Sequence, residues 1–364
     1  MSRFVVAAGG TGGHMVPASV LAGELTARGH DVVLMSDARG LRFPGLFDGI
    51  ETRVVASASV GGRNPIGWLR ALLMVARGRA EARAFLRERG ISAVIGFGGY
   101  PAVPALLAAF ALGIPTILHE QNAVFGRSNR LLAGRVDRIA ASFAKTFRLP
   151  ASFAAKTVVI GNPVRAEVQA LAGPDFAAPS KGAPLRLLVT GGSQGASILS
   201  RVVPAALALL PEETRATLHV VHQGRPEDLD AARVAYAAAG IAAEVASYLP
   251  DLPQRIAAAH LVIARSGAST MAELAVIGRH ALLVPYAAAT DDHQTANAAE
   301  FIAAGGGRLL DERSFTPANV ATAIVSLTTV PAMLANAARA AKTVGRPDAG
   351  ARLADLAVAL GNAT

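Results

Sequence analysis

Apolar runs too short to be helices alternate along this chain with longer segments in which apolar residues recur at helical spacing. The runs at 3–8, 31–35, 52–56, 93–97, 115–119, 138–141 and 157–160 read as strands. Helices are predicted between them over 16–28, 66–89, 101–112 and 126–133. Gly161-Asn162-Pro163 then breaks the pattern, and residues 173–184 are rich in Pro, Gly and Ala, the composition of a domain junction. A second cycle follows, with strands at 185–190, 217–222, 243–247, 261–264 and 280–285. Its helices open at Ala196, Pro226, Ser269 and Asp292, and three helical segments finish the chain after Thr316. Such alternation builds parallel sheets with helices on both faces, so the fold class is α/β. At 364 residues the chain is too long for one core. Two domains are expected, 1–162 and 163–345, with a last helix in 346–364.

The two cycles open alike. Residues 4–14 and 187–196 each run from an apolar strand through a glycine-rich turn into a helix, which suggests two similar sheets with a ligand edge at the strand C-termini. The stretch 261–274 repeats the design through Arg265-Ser266-Gly267-Ala268. Feeding a strand into a helix through Gly and Ser gathers free N–H groups and the positive end of the helix dipole at one point, which suits a phosphate. Glu273 lies one turn into that helix, placed to accept hydrogen bonds from a ribose diol. A rival reading makes Thr270 and Glu273 an S/T-x-x-E capping box, in which the carboxylate only satisfies the helix start.

Composition narrows the class. Apolar residues make up 52% of the chain, there is no cysteine, and the formal charge is +9, carried almost wholly by arginine. Disulfides, thiol catalysis and Cys-ligated metals are therefore excluded. No apolar run approaches the roughly 20 residues of a membrane span. The chain enters its first strand at once, so no signal peptide is expected. A basic balance points to an acidic partner: nucleic acid, anionic lipid or a pyrophosphate. Nucleic acid is disfavoured, because aromatics are sparse and no basic stripe is interleaved with stacking residues.

The polar clusters at predicted strand ends carry the candidate chemistry. Gly9-Gly10-Thr11-Gly12-Gly13-His14 lets main-chain N–H groups approach a diphosphate, and its spacing fails the dinucleotide fingerprint because Met15 stands where glycine is needed. His14 is read as the general base, against the plainer reading of a polar helix cap. A second turn, residues 96–101, opens another helix, and Gly10 with Gly98, Gly99 and Tyr100 is expected to grip a pyrophosphate from both sides. His119-Glu120-Gln121-Asn122 sits at a strand's C-terminal end, suited to sugar hydroxyls or to a base with its partner. Arg165 follows the junction, and Ser193 offers a hydroxyl and an N–H in the second domain's phosphate turn. Asp228-Leu229-Asp230 is a formal D-x-D, but it falls within a helical run, and the histidines lack ligand spacing, so no metal is expected.

Helix 66–89 admits two readings. Trp68, Leu69, Leu72, Leu73, Val75 and Ala76 share one face, with arginines at 70, 77, 79, 83, 87 and 89. A core helix with a solvated basic face is the commoner arrangement; an interfacial helix drawn to anionic lipid is the other, and exposure of Trp68 discriminates.

Taken in order, Gly-Gly-Thr-Gly-Gly-His, Gly-Gly-Tyr-Pro, His-Glu-Gln-Asn, Gly-Asn-Pro-Val-Arg, Gly-Gly-Ser-Gln-Gly-Ala, Arg-Ser-Gly-Ala-Ser-Thr and Asp-His-Gln-Thr-Ala-Asn-Ala resemble, from end to end, the MurG family of bacterial N-acetylglucosaminyltransferases. The resemblance implies a GT-B architecture, two Rossmann-like domains with parallel sheets facing across a cleft and the last helix packing back on the first domain. It implies inverting transfer of GlcNAc from UDP-GlcNAc to the C4 hydroxyl of undecaprenyl-pyrophosphoryl-MurNAc-pentapeptide (lipid I), giving lipid II. It further implies donor contacts by Thr11, Gly12, Gly13 and Asn122, by Arg165 and Gln294 around the sugar and phosphates, and by Ser193 on the diphosphate. Leu249 reads uracil through its main chain, and Ala268, Ser269, Thr270 and Glu273 form the donor helix, with Glu273 on the ribose. His119 and Glu120 stand as partners or substitutes for His14. No cofactor is implied. The expected location is peripheral, on the cytoplasmic face of the bacterial inner membrane, with other wall-synthesis and division proteins as partners. Two departures weaken the carry-over: Tyr100 is followed by Pro-Ala-Val-Pro where the family commonly has Val-Ser-Gly-Pro, and the stretch from Tyr286 to Asp292 varies. Two other readings stay open: a different GT-B enzyme or UDP-GlcNAc 2-epimerase, and a non-catalytic nucleotide-sugar-binding scaffold.

Overall fold

The computed structural model describes residues 1–40, 45–58, 65–179, 183–328 and 330–363. Part of the stretch read as a domain junction, 180–182, lies outside the described residues. In chain order the elements are β1 (Arg3–Ala7), α1 (Gly12–Ala27), β2 (Asp31–Ser36), β3 (Glu51–Val54), α2 (Pro65–Arg89), β4 (Ala93–Gly96), α3 (Gly99–Leu112), β5 (Thr116–Glu120), α4 (Arg127–Leu132), β6 (Arg138–Ala141) and β7 (Thr157–Val159). Then come α5 (Ala166–Ala170), β8 (Leu185–Thr190), α6 (Ser197–Ala208), α7 (Glu212–Ala216), β9 (Leu218–Gln223), α8 (Leu229–Ala238), β10 (Ala242–Ala246), α9 (Leu252–Ala258) and β11 (Leu261–Ala264). The chain ends with α10 (Ala268–Ile277), β12 (Ala281–Leu283), α11 (His293–Ala303), β13 (Gly307–Leu309), α12 (Pro317–Thr328), α13 (Pro331–Thr343) and α14 (Ala349–Gly361).

Two compact units result, Met1–Arg165 with Pro347–Thr364, and Ala166–Arg346. The first holds a seven-stranded sheet in the order β3-β2-β1-β4-β5-β6-β7, and the second a six-stranded sheet in the order β10-β9-β8-β11-β12-β13. Every named strand pair is parallel. The central strands are apolar on both faces because helices cover both: Phe4, Val5, Val6 and Ala7 are all buried, as are Leu261, Val262, Ile263 and Ala264. Strand order reverses direction at β1/β4 in one unit and at β8/β11 in the other. In open parallel sheets that reversal opens a crevice beyond the strand C-termini.

Within the first unit, α14 lies on α1. Leu353, Ala354 and Ala357 join Phe4, Val6, Leu21 and Leu25 in one buried cluster, and burying a leucine stabilises by about 1.5–3 kcal/mol. Arg28 meets Asp355 at 2.6 Å, and Arg352 donates to the Val159 carbonyl at 3.0 Å.

Several elements differ from the sequence reading. Helix α1 starts at Gly12 rather than Val16, so Gly12, Gly13 and His14 form a helical first turn capped by Thr11. A glycine pair is a poor helix former, but the first turn demands no internal N–H partners and tolerates it. The short elements α5, α7, α9 and β13 have too few residues to show a period, and strand 280–285 shrinks to Ala281–Leu283.

Helix α2 decides between its two readings. Its C-terminal half enters the core through Ala82, Phe85 and Leu86, and in its N-terminal half Ala71 is buried. Ile66, Leu69, Leu72, Leu73 and Met74 are exposed, and Trp68 is 51% exposed, so the core-helix reading fails for this half. The arginines at 70, 77, 79, 83, 87 and 89 are exposed as well.

Candidate active site

The turns that follow β1 and β4 flank the reversal point of the first sheet. After β1 the chain passes Gly9 and Gly10 and enters α1; after β4 it passes Phe97 and Gly98 and enters α3. The two turns touch. A side chain on Gly98 would place its Cβ 3.6 Å from His14 Nε2, and one on Gly99 would place it 3.2 Å from the Gly9 carbonyl oxygen; both glycines have positive φ. Glycine at 98–99 thus leaves room for the His14 ring. His14 is half-buried, and its Nδ1 lies 3.3 Å from Thr11 Oγ1. Desolvation lowers its pKa below the ordinary 6.5, while the nearby Gly9 carbonyl pulls the other way. At neutral pH the imidazole is uncharged, the state a general base requires.

Behind these turns lies a buried polar tier from the end of β5. Gln121 Nε2 donates to the Phe97 carbonyl at 2.8 Å and sits 3.0 Å from His119 Nδ1. Since that nitrogen must then accept, the proton of His119 rests on Nε2, which faces the Gly161 carbonyl at 3.5 Å and Ser142 Oγ at 3.4 Å. Burial lowers the pKa of His119 to about 3. Fully enclosed and neutral, it positions its neighbours and has no opening through which to take a substrate proton. Glu120 is equally committed: it accepts from Asn122 N at 3.0 Å, Gly126 N at 2.8 Å and Asn129 Nδ2 at 2.7 Å. Burial pushes the carboxyl of Glu120 up, and those donors pull it down. Its carboxylate is not paired with His14 among the described residues. Sequence reasoning missed Asn129. Its Oδ1 is buried without a partner and faces Gly98, where an ideal Cβ would lie 3.2 Å away.

In the second unit the turns after β8 and β11 flank the corresponding reversal. Residues 191–195 bend into α6, which is capped by Ala196. Gly192 N donates to Thr190 Oγ1 at 3.2 Å and Gly195 N to the Gly192 carbonyl at 3.0 Å, while Ser193 and Gln194 are exposed at the turn's crest. After β11, Arg265 is buried and donates to the Val284 and Pro285 carbonyls at 3.0 Å each, pairs with Glu312, and stacks over the Tyr286 ring at 5.2 Å. The hydroxyls of Ser266 and Ser269 are buried with no hydrogen-bond partner at the start of α10. Because α10 is capped by Gly267, Thr270 is its third residue and cannot be its cap, so the capping-box reading of Thr270 and Glu273 fails. Glu273 is 8% exposed on the same helix.

The remaining candidates are scattered between the units. Gly10, Thr11, Gly12 and Gly13 border His14, and Tyr100 is exposed in the first turn of α3. Asn122 follows Glu120, and Arg165, half-buried, ends the first unit. Leu249 is buried three residues beyond β10. Gln294 Oε1 accepts from Tyr286 N at 3.0 Å, which leaves its NH₂ as the donor. Just before it, Asp291 and Asp292 both adopt positive φ, 57° and 52°, a conformation costing about 1–2 kcal/mol per non-glycine residue. Asp230 of the D-x-D pair is bound to Arg233 at 2.8 Å.

The comparisons with known proteins agree with this geometry. Residues 4–141 match the glycosyltransferase family 28 N-terminal domain, and residues 186–353 match the family 28 C-terminal domain. A UDP-N-acetylglucosamine–N-acetylmuramyl-(pentapeptide) pyrophosphoryl-undecaprenol N-acetylglucosamine transferase from Zymomonas mobilis subsp. mobilis is 50% identical, the match covering 99% of this chain and 92% of the relative. The enzyme of the same name from Novosphingobium aromaticivorans is also 50% identical over the same shares. Among solved structures, Acinetobacter baumannii MurG superposes with a TM-score of 0.80 at 30% identity, covering 98% of this chain and 99% of that one. The chain therefore belongs to the MurG family of N-acetylglucosamine transferases, glycosyltransferases of family 28 with the GT-B fold.

Proposed function

We propose that this chain transfers N-acetylglucosamine from UDP-GlcNAc to the C4 hydroxyl of lipid I, inverting the anomeric centre and giving lipid II. The observation that carries the reading is the match at half identity over nearly the whole chain to transferases named for this donor and acceptor. The geometry supplies the chemistry. His14, uncharged and set against Gly98 and Gly99, takes the proton of the attacking hydroxyl. Displacement at the anomeric carbon drives negative charge onto UDP. The main-chain N–H groups of the exposed residues Ser193 and Gln194 and the N-terminal end of α10 receive it, each helix end contributing about 1 kcal/mol and more where water is excluded. Glu273 holds the ribose, Leu249 reads uracil through its main chain, and Arg165 and Gln294 steady the sugar and phosphates. Gly10, Gly98, Gly99 and Tyr100 receive the acceptor pyrophosphate. No resident metal or organic cofactor enters this reading.

A lipid-borne acceptor calls for a protein that reaches a membrane surface. No single helix among the described residues is long and apolar enough to cross one. The exposed apolar residues of α2, flanked by exposed arginines, fit peripheral docking on anionic lipid instead. On this reading the protein is peripheral and works on the cytoplasmic face of the bacterial inner membrane.

Purified protein incubated with labelled UDP-GlcNAc and a lipid I analogue tests the proposal. Label should move to the lipid only when the acceptor is present. An epimerised or hydrolysed product without acceptor would replace the reading with another GT-B activity, and binding without turnover would leave a scaffold. Sedimentation with phosphatidylglycerol vesicles tests the membrane arm. Trp68→Ser with Leu72→Ser should lower the bound fraction several-fold without lowering Tm, since neither side chain is in the core.

A further inference from the structure

Gln223, the last residue of β9, is 7% exposed, and Thr190, the last residue of β8, is 1% exposed. The Gln223 amide is fully occupied. Its Nε2 donates to the Gly192 carbonyl at 2.9 Å and to the Ser247 carbonyl at 3.3 Å, and its Oε1 accepts the Thr190 hydroxyl at 2.7 Å. Both neighbours of Nε2 are carbonyl oxygens, so the amide can stand only one way round. Thr190 Oγ1, having given its proton to Gln223, accepts the Gly192 N–H at 3.2 Å. Gly192 is thereby held at its N–H and its carbonyl alike, which fixes the turn at whose crest Ser193 and Gln194 are exposed. Ser247 lies on a different turn, the one after β10 that leads to Leu249.

We propose that Gln223 is a positioning residue for the nucleotide donor, a bracket that fixes the phosphate turn after β8 against the uracil turn after β10. Too deeply buried to touch UDP, it sets the span between the places where the two ends of the nucleotide are held. A ligand gripped at both ends benefits only if that span is already correct, because ordering two loose turns on binding costs free energy. The proposal rests on the donor assignment made above.

Steady-state kinetics on the full chain test it. Gln223→Leu keeps the volume and removes the bracket; donor KM should rise about ten-fold, kcat should fall less than three-fold, and acceptor KM should stay within about two-fold. Thr190→Val should act in the same direction, and Thr190→Ser, which restores the hydroxyl, should return donor KM most of the way. The double variant Thr190→Val/Gln223→Leu should exceed the larger single effect by less than about two-fold, since both break one network. UDP binding to the parent protein by calorimetry separates the two levels of inference. A parent that fails to bind UDP overturns the donor assignment itself. A parent that binds UDP while Gln223→Leu and Thr190→Val leave donor KM within two-fold, or move both KM values equally, overturns the bracket alone. If Gln223→Leu does not fold, Thr190→Val carries the same test.

Discussion

After β1 the chain turns through two glycines and a threonine into a helix whose first turn bears an imidazole. After β8 it turns through a nearly identical run into a helix whose first turn bears no titratable group at all. Behind the first turn stand the buried side chains of His119, Glu120 and Asn129, an imidazole, a carboxyl and an amide. Behind the second stands Gln223, a neutral amide that holds the Gly192 and Ser247 carbonyls and the Thr190 hydroxyl. On the proposed reading one local motif serves two uses: in the first unit the turn carries the His14 side chain, and in the second it offers main-chain N–H groups to the donor.

If that contrast is right, deleting the side chain should be ruinous at one turn and mild at the other. His14→Ala should lower kcat by about 10²–10⁴ with donor KM little changed; wild-type turnover in that variant would sink the base assignment. In the second unit the sensitive positions are those that shape the main chain. Gly195 has a φ of +66°, and an added Cβ would stand 3.0 Å from Arg225 N and 2.8 Å from its Cγ. Strain of about 2 kcal/mol, roughly thirty-fold, should appear as raised donor KM in Gly195→Ala, read by the same assay. Glu273→Ala should raise donor KM about ten-fold, the loss of hydrogen bonds to a charged acceptor; an unchanged value would remove Glu273 from the ribose. Ser193→Ala leaves its N–H in place, so donor KM should rise no more than about three-fold.

Proton linkage distinguishes the turns more subtly. Desolvation holds the pKa of His14 below 6.5, and protonation destroys a base, so kcat/KM should fall on the acid side with a midpoint under 6.5. His14→Ala should abolish that limb in the residual rate. Stability has its own acid dependence. His119 stays neutral in the folded protein down to about 3, whereas in the unfolded chain it binds a proton near 6.5. The unfolded state therefore gains protons first, and folding weakens as pH falls from 6.5 towards 3. Thermal unfolding across that range measures the effect.

Much of this was legible in residue order. The strands at 138–141, 185–190 and 261–264 have the observed bounds, because apolar runs enclosed by helices on both faces have sharp ends. The polar residues at or just beyond strand C-termini, His14, His119-Glu120 and Ser193, stand where parallel sheets place ligands, a position readable from residue order. Gln223 obeys the same rule, since His222-Gln223-Gly224 also ends a strand, but no pattern in the chain links it to Gly192 or Ser247. The fate of Thr270 and Glu273 was undecidable locally, as the motif fits a cap and only the helix start at Ala268 rules it out. The amphipathic pattern of α2 was equally ambiguous, since an apolar face reads the same whether or not anything covers it.

By itself, the order of residues determined the alternation of strand and helix, the parallel class, the glycine turns and the family, because each depends on neighbours along the chain. Tertiary structure alone decided which strands are central, that β4 lies beside β1 and β11 beside β8, and hence which turns share a crevice. It also decided that His119 is sealed while His14 stays open, and that Trp68, Leu69, Leu72 and Leu73 of α2 are exposed. Those outcomes turn on contacts between residues far apart in the chain, and on how much water each side chain keeps. Neither is written in local spacing.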